Sequence, residues 1–575
     1  MMGARAWPVV PWLRDYERGD LQRDVVAGLT VAVLLVPQGM AYAALAGMPP
    51  ITGLYAGLVA LVVYALLGTS SHLSYGPVAI IGLLTATGVG PLAGGDPVRF
   101  AALAGTLAVM VGLLHLLLGV LRFGAVVELI AHPVIVGFTG AAGIVIALTQ
   151  AKDLLGVDIA RSERALEAAL AVGDAVGSTH LPTFGLGALA IVLLLVGRRS
   201  APRFPMALVV VVLGVVASQL LGLGSVGVRT VGEIPSGLPR PMLPGYDVAD
   251  LVALLPTALV VALLSFAESI SIGKAIAGRS RETLDANREL LASGAANAAS
   301  GFAGGFPVAG SFSRSFLTFS ARGRTQASGL VAAVVLALTL TLLTPLLEPL
   351  PRAVLAAIVI VTVIGLVDVA EARRITLVDR SDGMVLGLTF AATLLLGVEL
   401  GLATGIVVNL VLYMGRSMRP EVVVLSRLRG TVEYRNSERH AGVAPDEDGL
   451  ILRIDGALDF LSARAITTRV RQHVASRPAL GWIVLDCSAM SALDSTGLHA
   501  LHELQLQLRA AGVALHLATL RGPQRDIIRR AGLAGELLGS VAHESIDDAL
   551  AVVGVPADAL LRRREPGETP PEDWS

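Results

Sequence analysis

Between residues 25 and 415 the chain is a succession of apolar windows bounded by Gly, Pro or charge. Seven lie near 25–45, 52–68, 77–90, 99–121, 126–149, 183–197 and 206–223. Seven more lie near 251–273, 287–304, 308–320, 328–346, 353–367, 383–398 and 400–415. Windows of this kind predict membrane spans, here fourteen. The composition agrees, with 54% hydrophobic and 15% charged residues and a mean hydropathy of +0.71. Soluble chains of 575 residues do not have that balance.

Loop charges test the count, because cytoplasmic loops carry the excess of Lys and Arg. Arg5, Arg14, Arg18 and Arg23 precede the first span, and Arg122 follows the fourth. Arg198, Arg199 and Arg203 follow the sixth, and Lys274, Arg279, Arg281 and Arg288 follow the eighth. Arg322 and Arg324, then Arg373, Arg374 and Arg380, then Arg416 and Arg419 follow spans ten, twelve and fourteen. The short loops on the other side are nearly free of Lys and Arg, the longer one at 151–182 being the main exception. Even-numbered spans therefore end on the basic side, and both termini are expected in the cytoplasm. The opening stretch, "MMGARAWPVVPWLRDYERGD", is too polar for a cleaved signal peptide.

Other classes fall away. A net charge of −1 points to no nucleic-acid partner, and the single cysteine, Cys487, excludes an intramolecular disulfide. "GLGSVG" at 222–227 matches a dinucleotide fingerprint but follows a membrane span, with no βαβ unit around it. His499 and His502 with Glu503 resemble a metal cluster, but no further ligand lies nearby in sequence and they read as surface residues. No metal and no cofactor is expected.

After residue 420 the texture changes. "LILRID" (450–455), "WIVLDC" (482–487) and "VALHLA" (513–518) read as strands, with amphipathic helices near 461–475, 495–511 and 523–534. That alternation predicts a small α/β domain. The expected boundaries are a cytoplasmic segment 1–24, a transport region 25–420, the α/β domain 421–555 and a disordered tail 556–575.

Pro-Val-Ala occurs twice, at 77–79 and 307–309, each time at the third span of a set of seven. Seven is odd, so two such halves lie in opposite orientations, as an inverted repeat requires. The tenth window offers about 13 residues, roughly 20 Å of helix against a hydrocarbon core of roughly 30 Å. It reads as a half-helix beginning at mid-membrane. The expected fold is an α-helical polytopic membrane protein, a 7+7 inverted repeat with two half-helices. Their N-termini would face each other, with Pro in the first turn, and converge on an anion.

The candidate anion ligands are Val78 and Ala79 at the first break, and Gly310, Ser311, Ser313 and Arg314 at the second. The alternative is that the serines cap the helix and Arg314 pairs with a carboxylate. Glu268 is the only acid in the eighth span, and an acid there is a candidate proton carrier. The alternative is a fixed ion pair with Arg314. Gln38 and Tyr42 are one helical turn apart on the first span, where they could bind substrate or join helices.

With those residues laid out, the chain resembles the sulfate permease family, called solute carrier family 26 in animals. The resemblance rests on "RDVVAGLTVAVLLVPQGMAYAALAGMPPITGLYAGL" (23–58), "GTSSHLSYGPVAI" (68–80) and "ANRELLASGAANAASGFAGGFPVAGSFSRS" (286–315). "LDCSAMSALDSTGLHAL" (485–501) resembles the STAS domain that such transporters carry in the cytoplasm. The resemblance implies a dimeric transporter of sulfate, bicarbonate, chloride or dicarboxylates, with core and gate groups of spans in the lipid bilayer. It carries the anion site onto Gln38, Tyr42, Val78, Ser311, Ser313 and Arg314, and a coupling carboxylate onto Glu268. Ile272 stands where sodium-coupled relatives have a hydroxyl, which favours a proton over sodium. Ser462 stands where many relatives have Asn. Ser495 matches a serine that is phosphorylated in related regulators, or else it is a helix N-cap. Proton-coupled anion uptake leads the expectations. An anion exchanger, a channel, a nucleobase permease and a membrane-anchored signalling protein are the alternatives.

Overall fold

The computed structural model describes residues 10, 12–13, 16–124, 131–159, 164–200, 205–243, 247–280, 282–427, 433–439 and 449–555. Arg5, Arg14, Arg203, Arg281 and the 556–575 tail lie outside these residues. The chain divides into two compact units, Met1–Asn409 and Leu410–Ser575.

Each apolar window falls on a helix. The first set comprises α1 (Arg18–Ala46), α2 (Pro50–Leu67), α3 (Ala79–Ala93), α4 (Pro97–Val120), α5 (His132–Leu155), α7 (Leu181–Ser200) and α8 (Met206–Leu220). The second comprises α9 (Val248–Ser280), α10 (Ala286–Phe302), α11 (Phe312–Ser320), α12 (Ala327–Leu338), α13 (Arg352–Ile364), α15 (Arg380–Leu396) and α16 (Val398–Ser417). Two short helices had no apolar window: α6 (Ala165–Ala175) and α14 (Val369–Val378). Among the described residues, nine helical segments are long and apolar enough to cross a membrane.

The helices sort into two groups by packing. In one, α4 packs on α10, α10 on α2, and α1 on α2 and α12; in the other, α5 packs on α13 and α15, and α13 on α7. Small residues set the closest crossing. A Cβ at Gly301 would lie 2.5 Å from the Gly105 carbonyl, and one at Gly112 would lie 2.6 Å from the Ala298 nitrogen. Helices α4 and α10 therefore touch backbone to backbone. This crossing anchors α10, whose side chains hold the second chain break.

The second unit is a mixed sheet in the order β4-β3-β5-β6-β8-β9, with β7 paired to β5. Its strands are β3 (Glu421–Arg427), β4 (Tyr434–Asn436), β5 (Gly449–Leu458), β6 (Trp482–Asp486), β7 (Met490–Leu493), β8 (Ala514–Ala518) and β9 (Ala542–His543). The helices are α17 (Ala463–Ala475), α18 (Ser495–Ala510), α19 (Gly522–Arg530), α20 (Ala534–Leu537) and α21 (Ile546–Val552). β5, β6, β8 and β9 run parallel, as strand–helix alternation predicts. Ile454, Leu485 and Leu517 pack with Val470 and Leu504 on one face; Ile451, Trp482 and Val484 lie with Leu550 on the other. Burial of apolar surface on both faces holds the unit together.

Candidate anion site between two helix ends

The chain breaks where its residues cannot continue a helix. Before α3, Gly76 takes φ +157 and Pro77 has no N–H to give. Before α11 the sequence "GGFPVAG" does the same, with Gly304 at φ +71. The two breaks pair as a short antiparallel ladder of β1 (Tyr75–Gly76) and β2 (Ala309–Gly310), with Tyr75 opposite Gly310 and Gly76 opposite Ala309. The ladder satisfies backbone groups that a membrane interior leaves without water.

Side chains from α9 and α10 complete this satisfaction. Asn297 accepts from the Val308 N–H at 2.9 Å and donates to the Val308 carbonyl at 3.1 Å. Ser300 donates to the Phe306 carbonyl at 2.7 Å, and the Gly310 N–H donates to Ser269 Oγ at 2.8 Å. The Ser311 N–H donates to the Ser74 carbonyl at 3.0 Å. Sequence reading passed over Ser269 and Asn297, which sit among other small polar residues of their helices.

The half-helices differ from expectation in register. α3 begins at Ala79, the last letter of the first triplet, whereas α11 begins at Phe312, beyond the second. Neither Pro77 nor Pro307 occupies a first helical turn. The two triplets match in letters but not in structural position, because the second is drawn into the β ladder. α11 is nine residues long, about 14 Å of helix.

The N-cap residues are Val78 and Ser311, and neither supplies a side-chain cap. The serine cap weighed from sequence is therefore not formed. Ser311 Oγ instead faces Ser313 Oγ at 3.2 Å. Val78, Ala79 and Ser311 are buried, and Ser313 is exposed. Gly310 sits at the site, but its N–H is already committed to Ser269 and offers no free donor.

Arg314 is fully buried. Its Nη1 donates to the Pro77 carbonyl at 2.9 Å, while Nε and Nη2 have no protein partner. Among the described residues no carboxylate lies within ion-pair distance of it, so the fixed pair with Glu268 is not formed. Glu268 and Tyr42 are nonetheless its electrostatic neighbours. Glu268 Oε2 and Gln38 Oε1 are likewise shut off from solvent without partners. Buried polar atoms left unpaired are costly, so Arg314 and its neighbour Glu268 mark a place where a ligand completes the bonding. On α9, Ser271, Lys274, Gly278 and Arg279 form an exposed stripe beyond Glu268. The Arg279 guanidinium lies 5.8 Å from the Phe316 ring of α11. Lys274 and Arg279 were read from sequence as loop charges after the eighth span, whereas the helix continues through them to Ser280.

A cavity of about 520 Å³ opens at the other end of α3, between Leu45, Leu83, Thr87, Phe100 and Gln150. None of the candidate residues lines it.

In the second unit Asp494 is the N-cap of α18, accepting from the Gly497 N–H at 2.7 Å. Ser495 is the first helical residue and exposed, which corrects its reading as the cap. Ser462 ties its own loop, donating to the Ala457 carbonyl at 2.6 Å. His502 bonds Glu536, and no metal-binding cluster occurs among the described residues.

Residues 21–389 match the sulfate permease family, and residues 434–549 match the STAS domain. The chain is a member of the sulfate permease family. It is 35% identical over 544 residues to a probable sulfate transporter of Mycobacterium tuberculosis, covering 93% of this chain and 96% of that one. It is 34% identical over 556 residues to the chloroplastic sulfate transporter 4.1 of Arabidopsis thaliana, covering 93% and 80%. The murine solute carrier 26 family member A9 anion transporter, solved in an inward-facing state, matches the fold with TM-score 0.89 at 22% identity, covering 95% and 94%. The transmembrane domain of a cyanobacterial bicarbonate transporter matches with TM-score 0.60 at 24% identity, covering 68% and 98%. As a family member, the chain is an integral membrane anion transporter with a C-terminal STAS domain.

Proposed function

We propose that the protein takes up a small dianion, sulfate first, together with a proton, as a secondary transporter working by alternating access. One observation carries this reading: Arg314 is wholly buried with two nitrogens unpartnered beside two uncapped helix starts. An uncompensated buried charge is strongly destabilising, and a bound anion removes that cost.

Charge matching supports a dianion. Arg314 and two helix starts, each worth roughly half a charge, present about +2 to the site. Ionised Glu268 cancels about half of that, whereas protonated Glu268 leaves it whole. A dianion and a proton therefore bind best together. Gln38, Tyr42, Ser311 and Ser313 supply neutral hydrogen bonds, and Val78 and Ala79 frame the facing helix start. Ile272, one turn beyond Glu268, has no oxygen for sodium. The names of the relatives favour sulfate over bicarbonate or a dicarboxylate.

In this reading the chain crosses a bacterial inner membrane fourteen times, with both ends cytoplasmic, and works as a homodimer. The two helix groups move against each other, and the 520 Å³ cavity is the outer vestibule. Ser495, exposed at the start of α18, is a regulatory serine.

The test is uptake of radiolabelled sulfate, bicarbonate and fumarate by proteoliposomes, with and without an inward proton gradient. Sulfate uptake accelerated by the gradient is expected. Uptake indifferent to the gradient contradicts the coupling, and uptake of none of the three contradicts the substrate class.

A further inference from the structure

The short helix α14 lies where three membrane helices begin or end. α13 ends at Ile364 just before it, α15 starts at Arg380 just after it, and His132 at the start of α5 bonds Glu371 at 3.1 Å. Its inward face is Glu371, Ala372 and the buried Ile375. α14 therefore sits beside the ends of three helices, at ten residues too short to cross a membrane by itself.

Its outward face has no protein partner among the described residues. Val369, Arg373 and Leu377 follow one another at four-residue spacing, so they stack along one stripe. Val369 is 71% exposed and Leu377 75% exposed, and Arg373 is exposed between them. Large apolar side chains at that exposure are costly in water and favourable at the acyl boundary. The long arginine stem can lie over that apolar stripe while its guanidinium reaches the headgroup layer.

The charges show which lipid fits. Glu371 is engaged by His132 and, at 3.5 Å, by Arg374, and Asp368 caps α14 by accepting from the Glu371 N–H. Arg373 and Arg380 have no acidic partner among the described residues. Arg380 also occupies the first position of α15, where the positive helix end disfavours a cation. Although Asp379 caps α15 and Asp382 lies in its first turn, Arg373 and Arg380 form no ion pair among the described residues. Two such exposed cations flanking an apolar stripe match an anionic headgroup with its acyl chain below.

We propose that α14 is an interfacial helix that binds anionic phospholipid, with Val369 and Leu377 in the acyl boundary and Arg373 and Arg380 on the headgroup. This assignment requires only that the protein is a membrane protein and does not depend on what it transports. The bound lipid would fix α14, and through it the neighbouring ends of α5, α13 and α15.

The experiment uses the full chain in vesicles of phosphatidylcholine with and without phosphatidylglycerol. Cys487 is the only cysteine and is buried, so a nitroxide on Leu377→Cys reports from that position alone. The nitroxide should be more accessible to oxygen than to a water-soluble nickel chelate. Spin-labelled phosphatidylglycerol should associate in preference to phosphatidylcholine, and Arg373→Gln with Arg380→Gln should weaken that preference about fivefold per arginine. Greater nickel accessibility, or spin–spin broadening from a second copy, overturns the interfacial placement. An unchanged lipid preference in the double variant overturns the headgroup assignment.

Discussion

Arg314 reaches from the first turn of α11 to the carbonyl of Pro77 before α3, a distance of 2.9 Å. One hydrogen bond thus joins two helix starts whose residues lie 237 positions apart. Whatever binds the remaining nitrogens of that guanidinium also senses both half-helices.

Gly76 tests this geometry. A Cβ there would lie 3.3 Å from Arg314 Nη2, and its φ of +157 is unfavourable for any other residue. Gly76→Ala should lower stability by about 1–3 kcal/mol and, in the protein that remains folded, raise the KM for sulfate about tenfold by displacing the guanidinium. An unchanged KM would show that the ligand is held elsewhere.

The two serines should matter less than the arginine. Ser311→Ala and Ser313→Ala each remove a neutral hydroxyl and should raise KM about three- to tenfold. If either variant abolished uptake while remaining folded, the hydroxyls rather than the charge would carry recognition.

Glu268→Gln keeps the shape of the acid and fixes it in a neutral state. It should preserve sulfate binding and exchange but lose acceleration by an inward proton gradient. Sulfate concentrated by a pH gradient alone in this variant would remove Glu268 from the coupling.

In the second unit, His516 Nδ1 and His543 Nε2 share a hydrogen bond at 3.0 Å across β8 and β9. Burial, then the neighbouring His543, hold the His516 pKa below the usual imidazole value. The unfolded state then binds a proton more readily than the folded one, so stability present at neutral pH falls as pH drops through the unfolded histidine value, about 6.5. Amide exchange in β8 and β9 should accelerate on acidification, and His516→Asn should blunt the change. Equal acid sensitivity in both proteins would exclude the pair.

How much of this was legible in the sequence follows from what each signal measures. Hydropathy found the apolar helices because a membrane imposes a long apolar run, whatever the tertiary contacts. It missed α14, whose apolar residues are interleaved with arginines. The alternation of β5, β6 and β8 with helices was readable. The short edge strands β4 and β9 were not, because a two- or three-residue strand has no period. Arg314 and Glu268 stood out because charge within an apolar run is costly. The register of the second half-helix did not, because Ser269 and Asn297, distant in sequence, decide where the backbone stays extended. Asp494 and Ser495 are both good caps, and only geometry separates them.

The most direct test of the central claim is equilibrium binding of radiolabelled sulfate to purified wild-type protein and to Arg314→Ala, both checked for monodispersity. Losing a buried charge that contacts the ligand costs roughly 2–5 kcal/mol. The account predicts that Arg314→Ala binds sulfate at least about thirtyfold more weakly while remaining folded. Wild-type affinity in a folded Arg314→Ala protein would contradict an anion site between the two helix ends.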